Sequence, residues 1–265
     1  MQGFDCCQMQ KLTRRGIVTA PSLGNRPVSF TQLRHPNMTP IKILSSMATR
    51  DTLAELIAQY QQNTPQRVIT ESVAGIEAAK RVRAGDSADV VVLANNVIDQ
   101  LIAEGKLVAG SRVNLVTSGI HVAVRAGAAK PDISSEDAVK RAVLAARTVS
   151  YSTGPSGIHL EKLFARWGIA QKIESRIVPA PPGTPVGSLI ATGEAELGFQ
   201  QLSEMMHIAG IQLLGPLPPA IQSITTFSAG VSSQATQTVP IRALLDFLVS
   251  PVVAAVKRKN GLEPS

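Results

Sequence analysis

The run Ala88–Leu93 (ADVVVL) constrains this chain more than any other segment. It is continuously apolar after its aspartate and is bounded by polar residues, which is the pattern of a strand buried on both faces. Such a strand needs a layer of helices above and below it, so the surrounding sequence has to alternate strand and helix. It does. Ile41–Ser45 (IKILS) reads as a strand, followed by a helix with Leu53, Leu56, Ile57 and Tyr60 at spacings of three and four, for which Thr49 reads as the N-cap. Arg67–Thr70 is a second strand. Gly75 opens a helix that Gly85 ends, and Val97–Glu104 is another, stopped by Gly105.

The alternation continues beyond an extended segment, Val113–Val124, that Gly119 interrupts. A helix runs from Ser134-Ser135 to Ala146. Thr148–Tyr151 is a strand, and the polar loop Ser152-Thr153-Gly154-Pro155-Ser156-Gly157 leads into a helix carrying Leu160, Leu163, Phe164 and Trp167 on one face. Val186–Ala191 is a helix, Leu197–Gln200, Ile211–Leu214 and Ile221–Phe227 are strands, and Ile241–Val249 and Pro251–Lys259 close the chain as helices. The architecture this predicts is α/β with two lobes, joined by extended segments near 119–126 and 220–230. In such sheets ligands sit at the carboxyl ends of strands, where helix N-termini present free N–H groups.

Charge settles a different question. The net charge is +7, which raises nucleic acid as a partner. Residues 1–40, however, hold Lys11, Arg14, Arg15, Arg26 and Arg34 against Asp5 alone, and Lys257-Arg258-Lys259 forms a second cluster, read as a solvated helix end. The body between is close to neutral, and at 3% aromatic residues there are too few stacking platforms. Nucleic acid is excluded on this distribution. Residues 1–40 mix Pro, Gly, Asn, Gln and Ser without period and read as a disordered or mis-annotated tail. Their apolar stretch Gly16–Ala20 is too short for a secretory signal, so the sequence as it stands reads as cytoplasmic, and as periplasmic if the start lies later, as at Met38. No run is long enough to span a membrane. The two cysteines, Cys6 and Cys7, are adjacent and make neither a disulfide framework nor a zinc site, and no histidine has an acidic residue four positions away, so neither a metal nor a cofactor is expected.

The segments IKILSSMATRDTLAELIAQY, VAGIEAAKRVRAGDSADVVVLANN, STGPSGIHLEKLFARWG, LIATGEAELGFQQLSE and ALLDFLVSPVVAAVKRKNGLEP, in that order, resemble the molybdate-binding components of bacterial ABC importers. These are type II periplasmic binding proteins, and aconitate isomerase-like relatives are among the chains this sequence resembles. The resemblance implies the two-lobed fold, each lobe a mixed, mostly parallel sheet flanked by helices. It divides the chain into residues 41–122 plus 223–265 for one lobe and 123–222 for the other. It also implies closure on a small anionic ligand, with an ABC permease as partner if the protein is exported.

The departures shape the expected ligand. Ala48 and Gly75 (or Ile76) stand where the molybdate binders have serines, and Gln201 where they have a tyrosine. Molybdate needs many short donors, so a carboxylated ligand fits better, with Arg50 available to meet a carboxylate in bidentate fashion. The candidate ligand-binding set is Ser45, Ser46, Ala48, Arg50, Gly75, Ser152, Thr153, Ser156, Gly157, Val186 and Gln201. Hydroxyls beside helix N-termini make anion seats, and glycine lets a ligand approach the amides. Two readings stay open. One is a solute-binding protein; the other is an isomerase of a polycarboxylate, for which His159 and Glu204 are the candidate proton carriers.

Overall fold

A computed structural model describes residues 39–265. The tail expected over residues 1–40, with Cys6 and Cys7, lies almost wholly outside the described residues. The chain begins with β1 (Ile41–Ser46), a 3-10 turn at Met47–Thr49, and α1 (Arg50–Gln62). It continues through β2 (Val68–Val73), α2 (Gly75–Arg83), β3 (Val90–Ala94) and α3 (Asn95–Ala103). The long β4 (Val113–Arg125) leads to α4 (Glu136–Ala145), β5 (Val149–Tyr151), α5 (Pro155–Arg166), α6 (Ala170–Ile173) and α7 (Val186–Thr192). Then come β6 (Leu197–Gln201), α8 (Leu202–Met205), β7 (Ile211–Pro216), β8 (Ile224–Val231), α9 (Thr238–Val249), α10 (Ala254–Lys259) and a short β9 (Glu263–Pro264).

The strands order as β2-β1-β3-β8-β4-β6-β5, with β7 and β9 also on β4. In the first lobe β1 runs parallel to β2 and β3, and in the second β5 runs parallel to β6; β8 is antiparallel to both β3 and β4. All five residues of β3 are buried, as its apolar run requires. The first lobe packs Ile43, Leu56, Val92, Phe227 and Leu244 into one cluster, and the second packs Val122, Val143, Leu160, Phe164 and Phe199.

The two sheets meet within β4. Val113 to Gly119 pair with β8, and Ile120 to Val124 pair with β6. Gly119 therefore does not interrupt the strand; it is the residue at which one continuous strand changes partners. Its missing side chain leaves room for Gln222 and Ile224, which a Cβ would meet at 3.2 Å. Gln222 then acts as one rung of a ladder: its Oε1 accepts from the Ile120 amide at 2.8 Å and its Nε2 donates to the Ile120 carbonyl at 3.0 Å.

Three local expectations change. Thr49 precedes α1 but its side chain does not cap it. Its hydroxyl donates to the Ser46 carbonyl (3.1 Å), while Ser46 Oγ caps the preceding 3-10 turn by accepting from the Ala48 amide (3.4 Å). Ile221 belongs to a 3-10 turn, Pro219–Ile221, and the strand starts at Ile224. The basic cluster at the C-terminus is not a uniformly solvated helix end. Lys257 is 2% exposed and donates to the Leu115 carbonyl of β4 at 2.8 Å, and burial pushes its amine below the usual lysine range. Arg258 pairs with Glu263, and Lys259 with Glu55. The hydrophobic periodicity of α10 is short, so sequence alone does not show that its first basic residue turns inward beneath β4.

Gly198 in β6 is needed for close approach of α7: a Cβ there would lie 2.5 Å from Ile190 Cδ1 and 2.6 Å from Val186 Cγ1. Gly198→Ala is expected to cost about 1–3 kcal/mol by overpacking, read as a lower urea midpoint with an unchanged m-value.

Candidate functional site

Three helices of nine or more residues turn their N-terminal ends to one cavity. The first turn of α1 contributes Arg50, α2 contributes Gly75, and α5 contributes Pro155 and Ser156. Each helix start is fixed by the strand before it: β1 and β2 run parallel in the first sheet, β5 lies in the second and runs the opposite way, and the three strands end facing one another at the cavity. Unsatisfied N–H groups and the positive dipole ends make this a seat for negative charge. The space at its centre is about 60 Å³, room for a head group.

Of the residues expected in the site, the cavity wall holds Ser46, Ala48, Arg50, Gly75, Ser152, Thr153, Ser156 and Gln201. Ser152 and Ser156 share a hydrogen bond between their hydroxyls (3.0 Å), and Ser152 Oγ also accepts from the Gly154 amide (3.3 Å), which shapes the loop before α5. At Gly75 a Cβ would meet only ordinary contacts at 3.9 Å, so packing does not require a glycine there. Arg50 is half exposed and bonds Asp51 at 2.8 Å, which together with the nearby Glu204 holds its guanidinium firmly charged.

The others play different parts. Ser45 is fully buried inside the sheet, 2.7 Å from Ser72 Oγ, and does not reach the cavity. Gly157 is buried behind the loop; a Cβ there would fall on the Ser152 carbonyl oxygen, so its role is steric. The Val186 amide is not free to donate to a ligand, because it donates to Gln200 Oε1 at 2.7 Å. Gln201, 1% exposed, turns its amide to the crossover of β4. Its nitrogen donates to Ser118 Oγ (2.9 Å) and Gly119 O (3.2 Å), and its oxygen accepts from Thr225 Oγ1 (3.1 Å). It joins β4 to β8 at the hinge. His159 sits outside the inner cavity with Nε2 2.8 Å from the Ile221 carbonyl.

Glu204, at the start of the four-residue α8, lies half-buried in the cavity wall. Burial pushes its carboxyl up to about 7, against the opposing pull of Gln200 and Arg50. Gln200 is the residue the sequence reading missed. Its Oε1 is committed to Val186, so its Nε2 points to Glu204 Oε1 at 2.9 Å and fixes that carboxyl in place. The signal lay in the adjacent glutamines of LGFQQ, which a strand turns to opposite faces, one to the hinge and one to the cleft. Ser203 Oγ, also in the wall, is buried without a partner among the described residues. No group of three or more His, Cys, Asp or Glu side chains is placed to hold a metal among those residues.

A family model described as bacterial extracellular solute-binding protein matches residues 41–263. An aconitate isomerase of Pseudomonas sp. is 34% identical over 256 residues, spanning 94% of this chain and 93% of that protein. The molybdate-binding protein ModA of Azotobacter vinelandii is 25% identical over 220 residues, 79% of this chain and 84% of that one. Among solved structures, the periplasmic molybdate-binding protein of Azotobacter vinelandii superposes with a TM-score of 0.69 at 21% identity, covering 84% of this chain and 98% of its own. The tungstate transporter protein of Geobacter sulfurreducens gives 0.65 at 15% identity, covering 83% and 98%.

The Gln200 arrangement has a measurable consequence. Gln200→Leu strands the buried Val186 amide, which is expected to cost about 1–3 kcal/mol. It also removes the donor that favours ionised Glu204, so the carboxyl should titrate higher than in the parent, as followed by NMR of a protein labelled at glutamate side chains.

Proposed function

Because the chain belongs to the bacterial extracellular solute-binding protein family and has its two-lobed type II fold, we propose that its cleft closes on a small di- or tricarboxylate and that Glu204 moves an allylic proton of that ligand. The observation that carries this reading is the position of Glu204. A permanently ionised carboxylate in a seat for anions would repel the ligand. A carboxyl held near neutrality exists in both protonation states, which is what a group that takes and returns a proton requires.

The step needs no cofactor. The Glu204 carboxylate removes a proton from the carbon next to the ligand's double bond; the C–H electron pair moves into the conjugated carboxylate as a dienolate. The Glu204 acid then gives its proton to the far carbon of the allylic system. The double bond has moved, and the protein is returned to its starting state. The helix N-termini, the free Ser203 hydroxyl and Arg50 hold the carboxylates and stabilise the charge that develops on them. The 34% identity to an aconitate isomerase across nearly the whole chain supports this chemistry.

A second reading keeps the binding and omits the chemistry, with delivery of the acid to an ABC permease outside the cytoplasm. The likeness of the lobes to molybdate- and tungstate-binding proteins favours it. One experiment separates the two. Purified protein is incubated with trans-aconitate and followed by NMR, with thermal stabilisation measured in parallel. Appearance of the cis isomer supports the isomerase; stabilisation with unchanged substrate supports the binder; absence of both results overturns the polycarboxylate assignment.

Glu204→Gln is expected to lower the isomerisation rate by at least about 100-fold while retaining stabilisation by the acid. In the parent the rate should rise as pH passes through about 7, where the base form appears. Stability should move the other way. A carboxyl raised in the folded state favours folding less as pH climbs from the unfolded value through the folded one. Glu204→Gln should therefore raise the melting temperature most near pH 8, with the gain shrinking below pH 7 and gone near pH 4.

A further inference from the structure

The cleft does not end at the anion seat. It opens into a second space of about 420 Å³ that shares Ser46, Gly75 and Thr153 with the seat and takes its walls from α2 and α3 of one lobe and α5 of the other. That is the size of a small-molecule pocket, whereas the inner space is about 60 Å³. The wall chemistry also changes. Leu93, Val97 and Ile158 line the outer space alone, and Ile76 and Phe227, which border both spaces, carry the apolar wall into it. Ile76 and Ile158 are 60% and 47% exposed although both are large apolar side chains in the first turns of the helices that build the seat. Two of the ionisable groups beside them are already engaged: Arg83 pairs with Glu104 at 2.8 Å and His159 bonds the Ile221 carbonyl. Lys162 stands exposed. Exposed apolar surface that is continuous with a binding site gains by being covered.

We propose that the outer space receives an apolar arm of the ligand, so that the acids this protein prefers carry an alkyl or alkenyl substituent beside the carboxylates held in the seat. The inference rests on the polycarboxylate reading. The seat fixes the charged end between the helix N-termini, and past Gly75 and Thr153 it is continuous with the space between Ile76 and Ile158, into which a bound acid can grow. The carbon skeleton is thereby selected by α2, α3 and α5, while the carboxylates are selected by the seat.

Titration calorimetry of the full chain with succinate, tricarballylate, 2-methylsuccinate, 2-butylsuccinate and 2-hexylsuccinate tests this. The expected result is a Kd that falls about two- to fourfold per added methylene over the alkyl series. Ile158→Asn, and independently Val97→Thr, should flatten that series while leaving the Kd for tricarballylate unchanged. Unsubstituted acids that bind, with alkyl acids no tighter or weaker, would show that the lobes close on this space empty, and would overturn the inference while leaving the polycarboxylate assignment intact. A gain per methylene that survives in both variants would also overturn it, since the arm would then lie elsewhere. Failure of every acid to bind would remove both.

Discussion

The structure depends on a single strand that serves two sheets. β4 pairs with β8 up to Gly119 and with β6 from Ile120 onward, and the side-chain amides of Gln201 and Gln222 spend their hydrogen bonds at that change. A strand can change partners only where the backbone groups released by one neighbour are taken up by something else, because buried unpaired N–H and C=O groups are costly. Gln222 supplies both halves of the missing rung at Ile120, and Gln201 ties Ser118 and Gly119 to Thr225 on β8. The glycine at 119 is what lets Gln222 come that close. A few side-chain amides at one crossover thus define the axis about which closure on a ligand would occur.

The same sheet arrangement explains the site. Strands of the two sheets end facing one another, so the positive ends of α1, α2 and α5 converge without a strongly basic side chain among the described residues being buried there. The anion seat is built from backbone, which is why the net charge of the protein says nothing about it. Into this seat the fold places Glu204, held by Gln200 and overlooked by Arg50. The α7 N-terminus participates at one remove: its first amide holds Gln200, and Gln200 holds the carboxyl.

The order of elements was legible because the signals are local. ADVVVL announces a doubly covered strand, and the 3.6-residue spacing of Leu53, Leu56 and Ile57 announces α1. Gly85 and Gly105 mark helix ends, and both adopt the positive φ of about 92° and 71° that such ends require. The site was legible in part. Ser46, Arg50, Gly75, Ser152 and Thr153 were found because they sit at strand ends next to helix starts, a position that sequence shows. Ser45 was drawn in by adjacency to Ser46, but successive strand residues face opposite ways, and Ser45 points to Ser72 within the sheet.

What the sequence determined on its own is the alternation of strands and helices, the two-lobed α/β class and the places where helix N-termini would be found, since each follows from short-range periodicity and capping chemistry. What only the tertiary structure decided is which polar side chains spend their hydrogen bonds on the protein and which remain for a ligand. Gln200 and Gln201 are identical and adjacent, yet one serves the cleft and the other the hinge; Gly157 is steric and Gly75 is open. The two glutamine assignments depend on partners distant in sequence, Val186 fourteen residues from Gln200 and Thr225 twenty-four residues from Gln201. No local pattern encodes contacts of that range.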